Sequence, residues 1–140
     1  AGAIPVAEAY GRAAAEGRPL NFGYSASWAA ARIQVLAGHR GDGRATTMLS
    51  HFANPAWQRE ATAAEEDRIV GLLETELAGG GLGIGVLVGY APGTSPAEYL
   101  RVARPAASIS SPSRPPRAWT APRSWCAPPP RRAPTCTTAT

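Results

Sequence analysis

A chain of 140 residues, 44% hydrophobic and 17% charged, is long enough for one small domain with a core of its own. No apolar run is long enough to span a bilayer and no charged-then-apolar leader is present, so a soluble, cytoplasmic protein with no membrane contact is expected. The net charge of +4 is unevenly placed: Ala1 to Glu98 carries seven Arg against ten acidic residues, whereas Tyr99 to Thr140 carries seven Arg and no acid. The only cysteines, Cys126 and Cys136, lie among prolines with no His nearby, which makes neither a zinc site nor a disulfide framework.

In chain order, Pro5 to Glu16 reads as a helix with Pro5 at its first position, Val6, Ala9, Tyr10, Ala13 and Ala14 on one face, and Gly17 as its stop. Pro19 to Tyr24 is a strand candidate in which Leu20 and Phe22 alternate with polar or small neighbours. Ser25 and Ser27 are both possible N-caps for the next helix, about Trp28 to Leu36, with Ala29, Arg32, Ile33 and Leu36 in register. A glycine-punctuated loop spans Gly38 to Arg44, Thr46 to Phe52 is ambiguous, and Asn54-Pro55 caps a short helix containing Trp57. Thr62 and Glu65 have the spacing of a capping box, and Ile69, Leu72, Leu73 and Leu77 form one helical stripe over Ala63 to Ala78. Gly79 to Gly81 stop that helix.

Leu82 to Val88 is a nearly continuous apolar run, the pattern of a strand buried on both faces of a parallel sheet. Gly89 to Pro92 is a turn, and Ser95-Pro96-Ala97-Glu98 opens a last helix with an N-cap, a proline and a Glu at the third position. Strands alternating with helices predict an α/β fold with a parallel sheet or barrel. Two strands cannot cover their own edges, so either further strands lie outside this chain or the fragment is marginal. Beyond Arg104 the periodicity ends. Pro105 to Thr140 holds nine of the fourteen prolines and almost no aliphatic residues, a composition that predicts disorder. The expected organisation is an α/β segment over residues 1–104 and a low-complexity tail over 105–140.

At GRPLNFGYSASWAAAR (Gly17 to Arg32) and GGGLGIGVLVGYAPGTSPAEYL (Gly79 to Leu100) the chain resembles bacterial N-acyl-D-amino-acid deacylases, in particular the D-glutamate deacylase type of the amidohydrolase superfamily. The resemblance implies a TIM-like (β/α)8 barrel, usually with zinc, that hydrolyses the amide of a small-molecule N-acyl-D-amino acid. The metal polarises the amide carbonyl and activates water. The family's ligands are a His-x-His pair, a Cys or Glu, two more His and an Asp, and none of them can be matched here. By resemblance the chain is a middle segment of the barrel, with no catalytic residue and no zinc of its own.

Barrel sites are built at the carboxyl ends of strands. Tyr24 and Ser25, where the first expected strand ends, and Tyr90, just past the second, are therefore candidate substrate-pocket residues. The other reading of each is a hydroxyl that satisfies a loop backbone. His39 reads as a solvated loop residue, and His51 as one that could face the site but makes no metal centre alone. Gly83 and Gly85 lack the third glycine of a dinucleotide fingerprint and read as room for helix packing.

The tail supports two further readings. With GC-rich codons and a frame shifted by one base from Ala118, Trp125 to Thr140 permits VRAAAEAGAHVHHCH, a helix, a glycine stop and a histidine-ending strand. That string resembles the histidine-bearing strand the family has next, and on this reading a frameshift is expected near Arg104 to Ser108. Alternatively, the tail is a true Arg/Pro-rich extension that makes the protein a non-catalytic binding module for nucleic acid or anionic surfaces. The prolines between its arginines and the scarcity of aromatics beyond Trp119 and Trp125 argue against a nucleic-acid partner.

Overall fold

The computed structural model describes residues 2–109, and the expectations for the rest of the tail lie outside them. Three short strands, β1 (Gly2–Ala3), β2 (Ser25–Ser27) and β3 (Ile84–Gly85), form one parallel sheet in the order β1-β2-β3. Gly2 pairs with Ser25 and Ala3 with Ala26, while Ala26 pairs with Ile84 and Ser27 with Gly85. Helix α1 (Val6–Glu16) crosses from β1 to β2. The β2-to-β3 crossover contains α2 (Trp28–Leu36), α3 (Ala45–Ser50), a 3-10 turn at Pro55–Trp57 and α4 (Ala63–Ala78). A second 3-10 turn at Val88–Tyr90 and α5 (Pro96–Ile109) follow β3. No helix among the described residues is long and apolar enough to cross a membrane.

The helices form where local chemistry favours them. Thr62 Oγ1 accepts from Glu65 N and the Glu65 carboxylate accepts from Thr62 N (2.9 Å), so the capping box of α4 closes in both directions. Ser27, not Ser25, caps α2 by accepting from Ala30 N (3.2 Å). Pro5 occupies the cap position of α1 rather than its first turn, and offers no side-chain acceptor. Glu76 of α4 supplies one, accepting from Val6 N at 2.6 Å with its negative charge at the helix's positive end.

The strands differ from expectation. Pro19 to Tyr24 is not a strand: Leu20 is 78% exposed, and backbone pairing begins only at Ser25, where β1 and β3 flank the chain. The apolar run Leu82 to Val88 yields only Ile84–Gly85 as strand, half-buried rather than covered on both faces. Leu82 is 73% exposed and lies against Gly23, and Val88 already belongs to the 3-10 turn. β1, at two residues, is too short to carry an alternating pattern and has no sequence signal of its own.

The core lies where α2, α4 and α5 meet. Trp28, Ala29, Ala31, Trp57, Ile69, Leu73 and Val102 are all buried there. In α2 every residue from Trp28 to Ile33 is buried, a wider face than the expected stripe, because its alanines admit neighbours on several sides. α5 runs past the expected break at Arg104, through Pro105, to Ile109. Proline there removes one helical hydrogen bond, yet Pro105 shares a buried face with Val102, and that packing opposes the loss.

One polar group sits within this core. Arg32 and Glu98 have side chains 0% and 1% exposed and form an ion pair between Arg32 Nη1 and Glu98 Oε2. Arg32 Nε donates to the Trp57 carbonyl (3.0 Å), Arg32 Nη2 donates to the Arg59 carbonyl, and the guanidinium lies 5.4 Å from the Trp28 ring centroid. Trp28 Nε1 donates to the second carboxylate oxygen, Glu98 Oε1, at 3.1 Å. Glu98 N donates to Ser95 Oγ (3.0 Å), so the cap of α5 is made at the backbone while the Glu98 side chain turns inward.

Removing one member strands the other's charge in a dry site. Glu98→Ala is expected to cost about 3–5 kcal/mol in urea unfolding, and Glu98→Gln, which keeps an acceptor, distinctly less. A loss below about 1 kcal/mol for Glu98→Ala would show that the pair is not structural. The Glu65 carboxyl is lowered from 4.5 to about 2, first by the hydrogen bond from Arg59 and then by Thr62 N. A depressed carboxylate contributes stability above its unfolded pKa and loses it as pH falls through the folded one. The stability gap between wild type and Glu65→Gln should therefore be constant above about pH 5 and close between pH 4.5 and 2. A gap that persists unchanged at pH 2 would refute the assignment.

Candidate functional site

The carboxyl edge of the sheet is built from the ends of β1 and β2 and the loops that cover them. The segment Gly38 to Arg44 folds back on β1: Gly43 N donates to the Ile4 carbonyl (2.8 Å), and Arg12 of α1 donates to the Asp42 (2.7 Å) and Gly43 (2.5 Å) carbonyls. Gly43 has φ 70°, and a Cβ there would come within 2.9 Å of the Pro5 carbonyl, so only glycine allows this approach. The fold-back also fixes α3. Asp42 accepts from Arg44 N and Thr47 Oγ1, each at 2.9 Å, and the Arg44 N–H is the leading cause that holds the Asp42 carboxyl below its usual range. Ser27 Oγ, at the end of β2, donates to Met48 Sδ of α3 at 3.1 Å.

This arrangement brings the two histidines together. The His39 and His51 rings stack with centroids 4.0 Å apart and planes 18° from parallel. They border a cavity of about 20 Å³, enough for roughly one water, whose apolar wall includes Ile4, Ala30 and Ile33. Arg40, Arg44 and Thr47 line the same cavity. His39 is exposed in its loop, as expected, and the structure adds its stacking on the half-buried His51. The contact joins a loop and a helix end with no shared periodicity, so no sequence pattern signals it.

Tyr24, Ser25 and Tyr90 are not placed at one end of the sheet. Ser25 opens β2 rather than ending a strand, and Tyr24 precedes it. The Tyr24 ring packs edge-on against Tyr10 (5.2 Å) and Phe22 (5.9 Å), and its backbone N–H donates to Tyr10 Oη (3.2 Å). Ser25 Oγ lies beside Gly85. Tyr90 lies past the carboxyl end of β3, 57% exposed, with its ring 5.0 Å from Phe52, which in turn packs on Trp57 at 5.3 Å. Tyr90 alone of the three stands beyond a strand's carboxyl end.

A zinc centre needs at least three convergent N, S or O donors. Among the described residues no group of three or more His, Cys, Asp or Glu is placed to hold a metal. The stacked imidazoles lie face to face, so their in-plane lone pairs do not converge on a shared point, and Asp42 is engaged by Arg44 and Thr47. These residues do not fit the metal that the sequence resemblance implies. No family model, curated protein or solved structure matches the chain.

Metal analysis of the dialysed chain is expected to return well under one equivalent of zinc. A stoichiometric, tightly held zinc would overturn this reading.

Proposed function

We propose that the chain is a segment of the barrel of a metal-dependent amidohydrolase of the N-acyl-D-amino-acid deacylase type, acting in its intact form on a substrate of the D-glutamate class. The observation that carries this reading is the pair of resembling stretches, Gly17 to Arg32 and Gly79 to Leu100, and the sheet order is compatible with it. Three parallel strands pair with their sequence neighbours, β1-β2-β3, and helices make both crossovers. A singly wound barrel requires that order, and one half of a doubly wound sheet shows it as well.

A second observation points the same way. The stretches that carry the resemblance, Gly17 to Arg32 and Gly79 to Leu100, meet through Trp28, Arg32 and Glu98 in the buried network. In this reading zinc is held by strands other than β1 to β3, and the substrate residue contributed here is Tyr90, beyond the end of β3. The strand after β3 is the one that the shifted frame of the tail would encode.

The test uses N-acetyl-D-glutamate with added zinc. This chain alone is expected to release no D-glutamate. A gene with the single base near codon 104 corrected and the upstream strands included is expected to hydrolyse it. If genomic DNA in the shifted frame encodes no histidine-ending strand and the extended protein remains inactive, the deacylase reading fails.

A further inference from the structure

We propose that His39, Arg40, Arg44 and His51 form a binding site for a small oxyanion, a carboxylate or a phosphoryl group. Most arginines among the described residues already have partners. Arg18 pairs with Glu16, Arg32 with Glu98, Arg59 with Glu65, and Arg101 with Glu66 and Asp67. Arg12 and Arg68 are spent on backbone carbonyls.

Arg40 has no hydrogen-bond or ion-pair partner among the described residues, and Arg44 has only Asp42 at 3.9 Å. Asp42 accepts from Arg44 N and Thr47 Oγ1 and is not among the residues that line the cavity. The side chains of His39 and His51 likewise make no hydrogen bond among the described residues, only the ring stack. All four residues line the same cavity beside β1.

The remaining wall explains why an oxyanion fits better than a cation or an apolar ligand. Ile4, Ala30 and Ile33 contribute no carboxylate and no free acceptor side chain to the cavity. One wall is thus dry and the other rich in N–H donors, the setting in which charge-assisted hydrogen bonds to oxygen are strongest. The cavity itself accepts about one oxygen atom, and the rest of the ligand would lie at the mouth between the two exposed arginines. The fold-back of Gly38 to Arg44 is held by Arg12 on the Asp42 and Gly43 carbonyls, so the backbone that carries Arg40 and Arg44 is placed before any ligand arrives. The proposal does not depend on the deacylase reading, and an anion titration stands whatever the outcome of the hydrolysis assay.

His39 and His51 are the only histidines in the chain, so every imidazole signal in a proton NMR spectrum reports this site. The full chain would be titrated with inorganic phosphate and, separately, with succinate, each against sodium chloride at matched ionic strength. Saturable shifts of both imidazoles beyond the chloride control are expected. The stronger of the two probes identifies the ligand as phosphoryl or carboxylate. The double variant Arg40→Ala/Arg44→Ala should bind about tenfold or more weakly, because it removes the charge-assisted donors. Arg104→Ala, which removes another arginine without a partner, should bind within about twofold of wild type. Far-UV circular dichroism checks that the variants fold. Shifts that do not saturate, that sodium chloride reproduces, or that Arg104→Ala weakens as much as the double variant would overturn the site.

Discussion

The fully buried Arg32–Glu98 pair fixes how the helices assemble. An arginine in a dry core is tolerated only if its charge is matched and its donors are used. Here Glu98 supplies the charge, while the Trp57 and Arg59 carbonyls take two of the remaining donors. Those partners come from α5 and from the turn between α3 and α4, so a single guanidinium ties two separate parts of the chain to α2. Trp28 adds its ring beneath the guanidinium and its N–H to the carboxylate. A sheet of two- and three-residue strands contributes few ladder bonds, which leaves this network and the apolar contacts around it to set the arrangement.

The same economy governs the edge of the sheet. β1 is held in place from outside by the Gly38–Arg44 fold-back, with Gly43 close against the chain at Pro5 and Arg12 bridging to the loop. That clamp also decides the chemistry displayed there, because it carries His39 onto His51 and leaves Arg40 without an ion-pair partner among the described residues. Elsewhere the acidic residues of α4 are largely used up: Glu65 by Arg59, Glu66 and Asp67 by Arg101, and Glu76 by the start of α1. Among the described residues, Arg40 is thus left without an ion-pair partner at this concavity although residues 2–109 carry ten acidic residues against nine arginines.

Local signals were legible where the interaction partners are near in sequence. The Thr62–Glu65 capping box, the Ile69–Leu73–Leu77 stripe, the Asn54 cap on the turn at Pro55 and the Ser95 cap of α5 all involve residues within a turn or two of each other. The strands were less legible. Alternation at Leu20 and Phe22 and the apolar run from Leu82 describe side chains, whereas a strand exists only where a neighbour offers backbone partners. Those partners stop at Ser25–Ser27 and Ile84–Gly85. Pro105 misled for a related reason: composition marks it as a helix breaker, and only its burial beside Val102 accounts for its place within α5.

The sequence by itself determined an α/β chain, its helices and most of their caps, and the contrast between an acidic body and an arginine-rich end, because these depend on spacing and composition. Tertiary structure alone decided that Arg32 meets Glu98 across 66 residues, that Glu76 caps a helix 70 residues earlier, and that His39 stacks on His51. Such contacts join positions with no common period, so the chain must fold before their charges and donors become neighbours.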